Sequence, residues 1–263
     1  MIHPFQYVYG PVYSWRLGNS LGVDPLSNKE KICNLNCNYC QLGRTADLSV
    51  TRKEYVSVPE LIAEIKRIPP FFVDYITFSG RGEPTLAKNL GDMIRAVKAV
   101  RKEKVAVITN SSLFHLKEVQ DDLMEADFVL AKLDATNQEM FDCIDGVCGI
   151  DFEGLMKGLS DFRARYKGKF ALQMMLVKDN IDHLQELSTL AASLKPHEIQ
   201  LNTPIRPCGQ APLCKDTLEK AKKAFKGMQV VTCYDAQVEK TNPIDEKATV
   251  ARHGNYRKSR YTY

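Results

Sequence analysis

A chain of 263 residues is long enough to bury a full core as one large domain. It holds no run of about 18 uncharged apolar residues, and its start, MIHPFQYVYGPVYSW, lacks the charged lead and apolar stretch of a secretory signal; both argue against a membrane or exported protein and for a cytoplasmic one. The formal charge is only +4, so the body as a whole is not a polycation built to coat nucleic acid.

In chain order, the first β-rich run is SLGVDPL at 20–26. After the three cysteines of KICNLNCNYCQLG comes SVPELIAEIKRI at 57–68. There Ser57 and Glu60 form a capping box, Pro59 sits in the first turn, and Leu61, Ile62, Ile65 and Ile68 share one face. DYITFSG at 74–80 reads as a second strand, followed by a helix, LGDMIRAVKAV, that lines up Leu90, Met93, Ile94, Val97 and Val100. KVAVITN (104–110), DFVLAKLDA (127–135), KFALQMMLV (169–177) and HEIQLNT (197–203) supply four more strands, and helical spacing recurs at 114–124, 150–164, 182–194 and 215–226. Six strand-then-helix units in series predict parallel pairing through right-handed crossovers.

Six units fall two short of a closed eight-stranded barrel. The expected fold is therefore α/β: a partial (β/α)6 TIM-like barrel with its chemistry at the C-terminal ends of the strands. The expected division is a core barrel over 1–207, with an N-terminal lead-in segment, and a short C-terminal extension over 208–263 that binds substrate or an auxiliary cluster.

Eight cysteines, at 33, 37, 40, 143, 148, 208, 214 and 233, are too sparse for a secreted disulfide scaffold and read as reduced thiols, some of them metal ligands. Cys33, Cys37 and Cys40 follow the first strand as Cys-x3-Cys-x2-Cys. Thiolate is a soft ligand, and this spacing fits three irons of a [4Fe-4S] cubane better than the paired Cys-x2-Cys of a structural zinc site; zinc and ordinary thiols are the other readings. Three cysteines on four irons leave one iron open.

Later strand ends carry polar groups. In SGRGEPTL, Gly80 and Gly82 permit close backbone approach and the Glu83 carboxylate suits an ammonium. Thr109, Asn110 and Ser111 end the third strand, while Lys132 and Asp134 share one side of the fourth. Gln173 and Met175 share a face of the fifth strand, as do Gln200 and Asn202 of the sixth; a polar residue inside an apolar strand is costly unless something bonds it, so these faces are expected to look into the lumen. Arg206, just past the sixth strand, is placed to meet an acidic substrate group. Routine strand-end solvation is the plain alternative for each.

With Tyr39 directly ahead of the third cysteine, the cysteine run resembles the signature of the radical S-adenosylmethionine (radical SAM) superfamily. That resemblance implies that the amino and carboxylate groups of SAM occupy the open iron, and that the reduced cluster cleaves SAM to methionine and a 5'-deoxyadenosyl radical. FSGRGEPTL resembles the family's second-strand Gly-Gly-Glu motif, which implies cofactor contacts from Ser79, Gly80, Gly82 and Glu83. Tyr39, Thr109, Asn110, Ser111, Lys132, Asp134, Gln173 and Asn202 complete the implied cofactor-binding set.

YGPVYSWRLGNSLGVDP, QLGRT, SGRGEPTL, TNSSL, KLDA and IQLNTPIRP together are similar to small bacterial and archaeal radical SAM proteins related to the tRNA wyosine-base synthases. Two departures stand out. Wyosine synthases are expected to carry extra cysteines ahead of the motif, whereas the first here is Cys33; and Tyr13 and Trp15 stand where proline and arginine are expected. The resemblance implies a flavodoxin- or ferredoxin-type electron donor and a tRNA or nucleotide substrate. A radical activase for a partner enzyme is a second reading, although the glycine-rich lead expected before an activase's cysteines is missing. A non-catalytic zinc or Fe–S module that binds nucleic acid is a third.

Of the later cysteines, Cys143 and Cys148 bracket IDGV, and Cys208, Cys214 and Cys233 are candidates for an auxiliary cluster, for reactive thiols or for inert ones. The tail 247–263 holds five Lys or Arg and no acid, with Tyr256, Tyr261 and Tyr263 among them, a mixture that suits a phosphate backbone and stacked bases or else a solvated terminus.

Overall fold

The computed structural model describes residues 5–146, 149–235 and 241–253. Val8–Ser14 (β1) and Gly18–Val23 (β2) form an antiparallel hairpin. Two short strands, Ile32–Cys33 (β3) and Asp47–Leu48 (β4), then pair with each other and lead to helix Val58–Lys66 (α1). Strands and helices alternate from there: Tyr75–Phe78 (β5), Leu90–Val100 (α2), Lys104–Thr109 (β6), Lys117–Leu123 (α3) and Phe128–Lys132 (β7). Two helices, Gln138–Asp145 (α4) and Phe152–Arg165 (α5), precede Lys169–Met175 (β8). Leu184–Leu194 (α6), Glu198–Asn202 (β9), Lys215–Lys222 (α7), Val230–Thr232 (β10) and Glu246–His253 (α8) follow.

Eight of the strands form one open sheet in the order β1-β2-β5-β6-β7-β8-β9-β10, parallel throughout except for β1. Ile76 lies opposite both Leu21 and Val105, and Leu172 opposite both Ala131 and Ile199. All six are wholly buried, as strands covered on both faces require. The six expected strands are β2, β5, β6, β7, β8 and β9, so the partial barrel predicted from the repeat is the architecture observed.

Local chemistry explains the helix boundaries. The Ser57 hydroxyl accepts the Glu60 N–H at the start of α1, and Leu61 and Ile65 are buried beneath it. The predicted helix at 90–100 matches α2 at both ends, but Val100 is exposed rather than in line with Met93 and Val97, because the chain turns out toward β6 there.

Besides the two-residue strands β3 and β4, four elements escaped the sequence pattern. In β1, Pro11 argues against a strand, yet β1 is an edge whose register breaks between Tyr9 and Val12, where a missing N–H costs nothing. Helix α4 is short and polar, fixed at one end by Asn137, which accepts the Met140 N–H, and at the other by Gly146 in the left-handed region. β10, only three residues long, extends the sheet beyond β9, so residues 208–232 add a further helix and strand to the core sheet. Helix α8 packs on β1, where the Gly10 N–H donates to Thr249 Oγ1 at 2.9 Å. Cys148, Tyr256, Tyr261 and Tyr263 lie outside the described residues.

Candidate active site

The cysteine loop runs from β3 to β4 along the C-terminal ends of the strands. Its backbone is held from outside, because Asn36 N–H and Asn38 N–H donate to the terminal carbonyls of α4, Asp145 and Ile144, each at 2.9 Å. It is also held from within, where Thr45 N–H bonds Asn36 Oδ1 and Thr45 Oγ1 bonds the Leu35 carbonyl. The unpredicted helix α4 is thus a clamp on the three cysteines, satisfying its own end carbonyls with loop amides.

Each thiol has a nitrogen donor of its own. Lys31 Nζ lies 3.2 Å from Cys40 Sγ, Lys132 Nζ 3.3 Å from Cys37 Sγ, and Asn110 Nδ2 3.6 Å from Cys33 Sγ. Burial pushes the Cys33 thiol up, helped by the Glu83 charge; it pushes Cys37 further up, against the pull of Lys132. A thiol raised by burial and faced by cations gains most when a metal takes the place of its proton. Three thiols with separate donors fit three irons of a cube, each cysteine on its own iron.

The SGRGEPTL bend lies against this loop. A Cβ on Gly82 would sit 1.7 Å from the Ile32 carbonyl oxygen, and one on Gly80, whose φ is +149°, would sit 2.4 Å from the Asp24 carboxyl carbon. Both glycines are therefore demanded by the protein's own chain. Glu83 is buried and bonded at both oxygens: Oε1 accepts from the Thr85 N–H, Thr85 Oγ1 and Thr109 Oγ1, and Oε2 from the Asn110 N–H at 2.7 Å. Burial raises its pKa against those four bonds. Glu83 ties the end of β5 to the end of β6, and Oε2 keeps one lone pair for a further donor.

Asn110 continues the tie, donating to Asn34 Oδ1 at 2.7 Å, while Asn34 donates to Ser112 Oγ. Ser111 has a positive φ of 70°, and its buried hydroxyl has no partner. Ser79 Oγ meets Tyr9 OH at 2.6 Å, and burial pushes the Tyr9 phenol up to about 12.

A second network lies across β7 and β8. Tyr39 OH donates to Asp134 Oδ2, the Met175 N–H donates to Asp134 Oδ1 at 2.7 Å, and Asn180 Nδ2 donates to the Asp134 carbonyl. Lys132 Nζ bonds Asp145 and stands 3.5 Å from Asp134. Burial pushes the Asp134 carboxyl up to about 6 even with Lys132 beside it. Burial would lower the Lys132 ammonium, but the charges of Asp145, Cys37 and Asp134 outweigh it and hold the group well above its ordinary value.

Gln200 shares the Asn202 face of β9 but is engaged below the cavity. Its Nε2 donates to Glu198 Oε1 at 2.6 Å, and Glu198 pairs with Lys169, so it belongs to a polar cluster lower on β8 and β9. Gln173 is half-buried; its carbonyl accepts the Leu133 N–H. Asn202 and Met175 do face the lumen. They line a cavity of about 270 Å³ together with Tyr39, Cys40, Trp15 and Arg206.

The late cysteines are scattered in their chemistry. Cys233 is wholly buried and its thiol is pushed up to about 11, Cys214 is exposed at the start of α7 against Thr217 Oγ1, and Cys208 reaches the Gln210 carbonyl. Among the described residues no three His, Cys, Asp or Glu side chains converge on a single-ion site. Sequence reasoning missed Lys31, Asn34, Asp145 and Asn180. Only Asp145, an acid just before a glycine at a helix end, left a local signal.

A model of the radical SAM superfamily matches residues 29–191. A protein named GTPase Obg from Brachyspira hyodysenteriae is 40% identical over 227 residues, a match that covers 83% of this chain but only 33% of that protein. A UPF0026 protein from Synechocystis is 37% identical over 206 residues, 77% of each chain, and a GTP 3',8-cyclase from Synechococcus elongatus is 28% identical over 60% of this chain and 45% of its own. Among solved structures, TYW1 with a lysine-pyruvate adduct bound superposes with a TM-score of 0.60 at 16% identity, covering 80% of this chain and 74% of that one. Streptococcus suis SuiB bound to S-adenosylmethionine gives 0.60 at 15% identity, with 78% and 48% covered. At those identities the two structures speak for the fold alone.

Proposed function

The chain belongs to the radical SAM superfamily, and from that premise we propose that it is an enzyme that cleaves SAM reductively at a [4Fe-4S] cluster and abstracts hydrogen from a nucleotide or a tRNA. The observation that carries this reading is the trio of thiols on one clamped loop, each faced by a nitrogen donor. Cluster and cofactor, when bound, supply the electron and the radical.

Cys33, Cys37 and Cys40 would hold the cluster, with Lys31 and Lys132 compensating its charge and Asn110 completing the donor set. The remaining lone pair of Glu83 Oε2 suits the SAM ammonium. Tyr39, pinned to Asp134, forms a rigid wall on the cofactor side, and the lumen beyond it keeps substrate in line and water out. The electron would come from a flavodoxin- or ferredoxin-type protein. The nucleotide class draws support from the likeness to a GTP 3',8-cyclase.

Anaerobic purification tests the reading. Brown protein with about four irons per chain, forming 5'-deoxyadenosine from SAM on reduction, is expected. Colourless protein with one zinc and no SAM cleavage would refute it and favour the metal-module reading.

A further inference from the structure

We propose that Arg252 and Asp24 are positioning residues that hold the 79–83 bend in place for SAM, so that helix α8 supports the cofactor site from behind. This rests on the enzymatic reading above and names how that site is held. Asp24 follows β2 directly and is 1% exposed. Its Oδ1 accepts the Leu26 N–H at 3.2 Å and the Ser27 N–H at 3.1 Å; Oδ2 accepts the Arg81 N–H at 3.4 Å and Arg252 Nε at 3.1 Å. Gly80 backs onto the same carboxyl too closely to carry a Cβ, so the bend takes its shape from where Asp24 stands. A buried carboxylate left alone is costly, and here Arg252 answers the charge that burial opposes. Every guanidinium nitrogen of Arg252 is engaged: besides the Asp24 bond, Nη1 donates to the Ala248 carbonyl at 3.3 Å, and Nη2 to the Gln6 carbonyl and to Ser27 Oγ.

The clasp is reciprocal. Arg81, between the two glycines of the bend, reaches back with Nε to the Ala251 carbonyl at 2.7 Å, in the last turn of α8, and with Nη1 to the Lys29 carbonyl. The last carbonyls of a helix lack partners within it and form its negative end, so a guanidinium is the fitting group there. A third line runs through β1: Thr249 Oγ1 of α8 accepts the Gly10 N–H, and the neighbouring Tyr9 OH meets Ser79 Oγ at 2.6 Å. Positions 79, 80 and 81 are thus each steadied by α8 or by the partner of Arg252. The cysteine loop has a separate fastening, from its Asn36 and Asn38 amides to the end of α4. Loosening the clasp should therefore move the bend and leave the three thiols where they are.

The full-length, cluster-loaded protein would be compared with Arg252→Met, Arg252→Lys and Asp24→Asn. Amide exchange of the bend is measured before SAM is added, and SAM affinity by equilibrium dialysis afterwards, with iron per chain and the unfolding midpoint as controls. Arg252→Met should speed exchange across 79–83 relative to β7 and weaken SAM binding at least about tenfold, the size of one charge-assisted contact. The KM for SAM should rise more than kcat falls, and iron per chain should hold. Arg252→Lys should regain part of both effects, because an ammonium still meets Asp24 but does not span Gln6 and Ser27 as well. Asp24→Asn keeps the side-chain shape and should reproduce the loss, so the test does not hang on one variant. Wild-type exchange and SAM affinity in Arg252→Met and Asp24→Asn would overturn the inference, as would exchange quickened evenly over the whole sheet with iron lost. Wild type that cleaves SAM beside an unaltered Arg252→Met would refute the clasp and keep the enzyme. Wild type that neither binds nor cleaves SAM would refute the enzyme, and exchange of the bend alone would then decide the clasp.

Discussion

Lys132→Met should unseat a buried charge balance. The ammonium bonds Asp145, stands 3.3 Å from Cys37 Sγ and 3.5 Å from Asp134, and the two carboxylate side chains are 1% and 0% exposed. At an effective dielectric constant of about 20, a unit pair at that separation is worth about 5 kcal/mol. Removing one partner of a buried pair costs about 3–5 kcal/mol, because the survivor stays buried and uncompensated. The loss should depend on pH in a definite direction. Burial already pushes the Asp134 carboxyl up to about 6, above its unfolded value, so the folded state should bind more protons in that window and stability should fall as the pH rises through it. Without Lys132 that carboxyl rises further, so the penalty should be largest near pH 8 and shrink as the pH approaches 5. Urea unfolding of the purified wild type and variant at both pH values, followed by circular dichroism, reads the difference. A loss below about 1 kcal/mol at pH 8, or one that grows on acidification, would refute the reasoning.

Gly82→Ala places a methyl 1.7 Å from a backbone oxygen that cannot swing away, so the bend must lift from β3 and break the 3.1 Å bond from the Glu83 N–H to the Ile32 carbonyl. Thermal unfolding should show a loss of about 2 kcal/mol or more, with lower iron retention; a wild-type midpoint would count against the close approach. Glu64, buried on α1, accepts the N–H groups of Gln6, Tyr7 and Val8 at 2.7–2.9 Å, so Glu64→Gln, which turns one acceptor into a donor, should cost about 1–3 kcal/mol and speed amide exchange at Tyr7 and Val8. Unchanged exchange would show that the N-terminal segment is held by something else. In native protein treated with iodoacetamide, exposed Cys214, whose thiol is lowered by its bond to Thr217, should label early, and buried Cys233 only after denaturation; peptide mass mapping that found Cys233 labelled first would contradict the packing.

Strands buried on both faces were legible because their residues read as unbroken apolar runs between polar punctuation, and the amphipathic stripes of α1 and α2 were legible for the matching reason. Elements that owe their form to partners were not. Helix α4 is polar and eight residues long, and its end carbonyls are met by the cysteine loop more than a hundred positions earlier in the chain. β1 hides behind Pro11 because only its edge position makes that residue tolerable. The faces of Lys132 and Asp134 followed from strand alternation, and the structure keeps them together at 3.5 Å. Gln200 obeyed the same alternation but found Glu198 on its own strand, a choice no periodicity reveals.

The motif residues turn out to be occupied by the scaffold before any ligand arrives. Gly80 and Gly82 make room for Asp24 and Ile32, Glu83 fastens two strand ends, and Asp134 has one donor on each carboxylate oxygen. A motif of this kind records how a cysteine loop is fastened to a sheet, which is why it identifies the family and its cofactor chemistry without identifying a substrate. Information about the substrate must then sit in residues that the fastening does not use. Trp15 and Arg16 lie on the turn of the β1–β2 hairpin, and Arg206 lies beyond β9. All three face one cavity from segments outside the cysteine loop and the glycine bend, and Trp15, with Tyr13, is one of the two positions at which the sequence departs from the proline and arginine that the resemblance leads one to expect. That wall of the lumen can change without disturbing the clamp on the cysteines, so it is the part of the molecule where specificity can diverge at least cost to the fold.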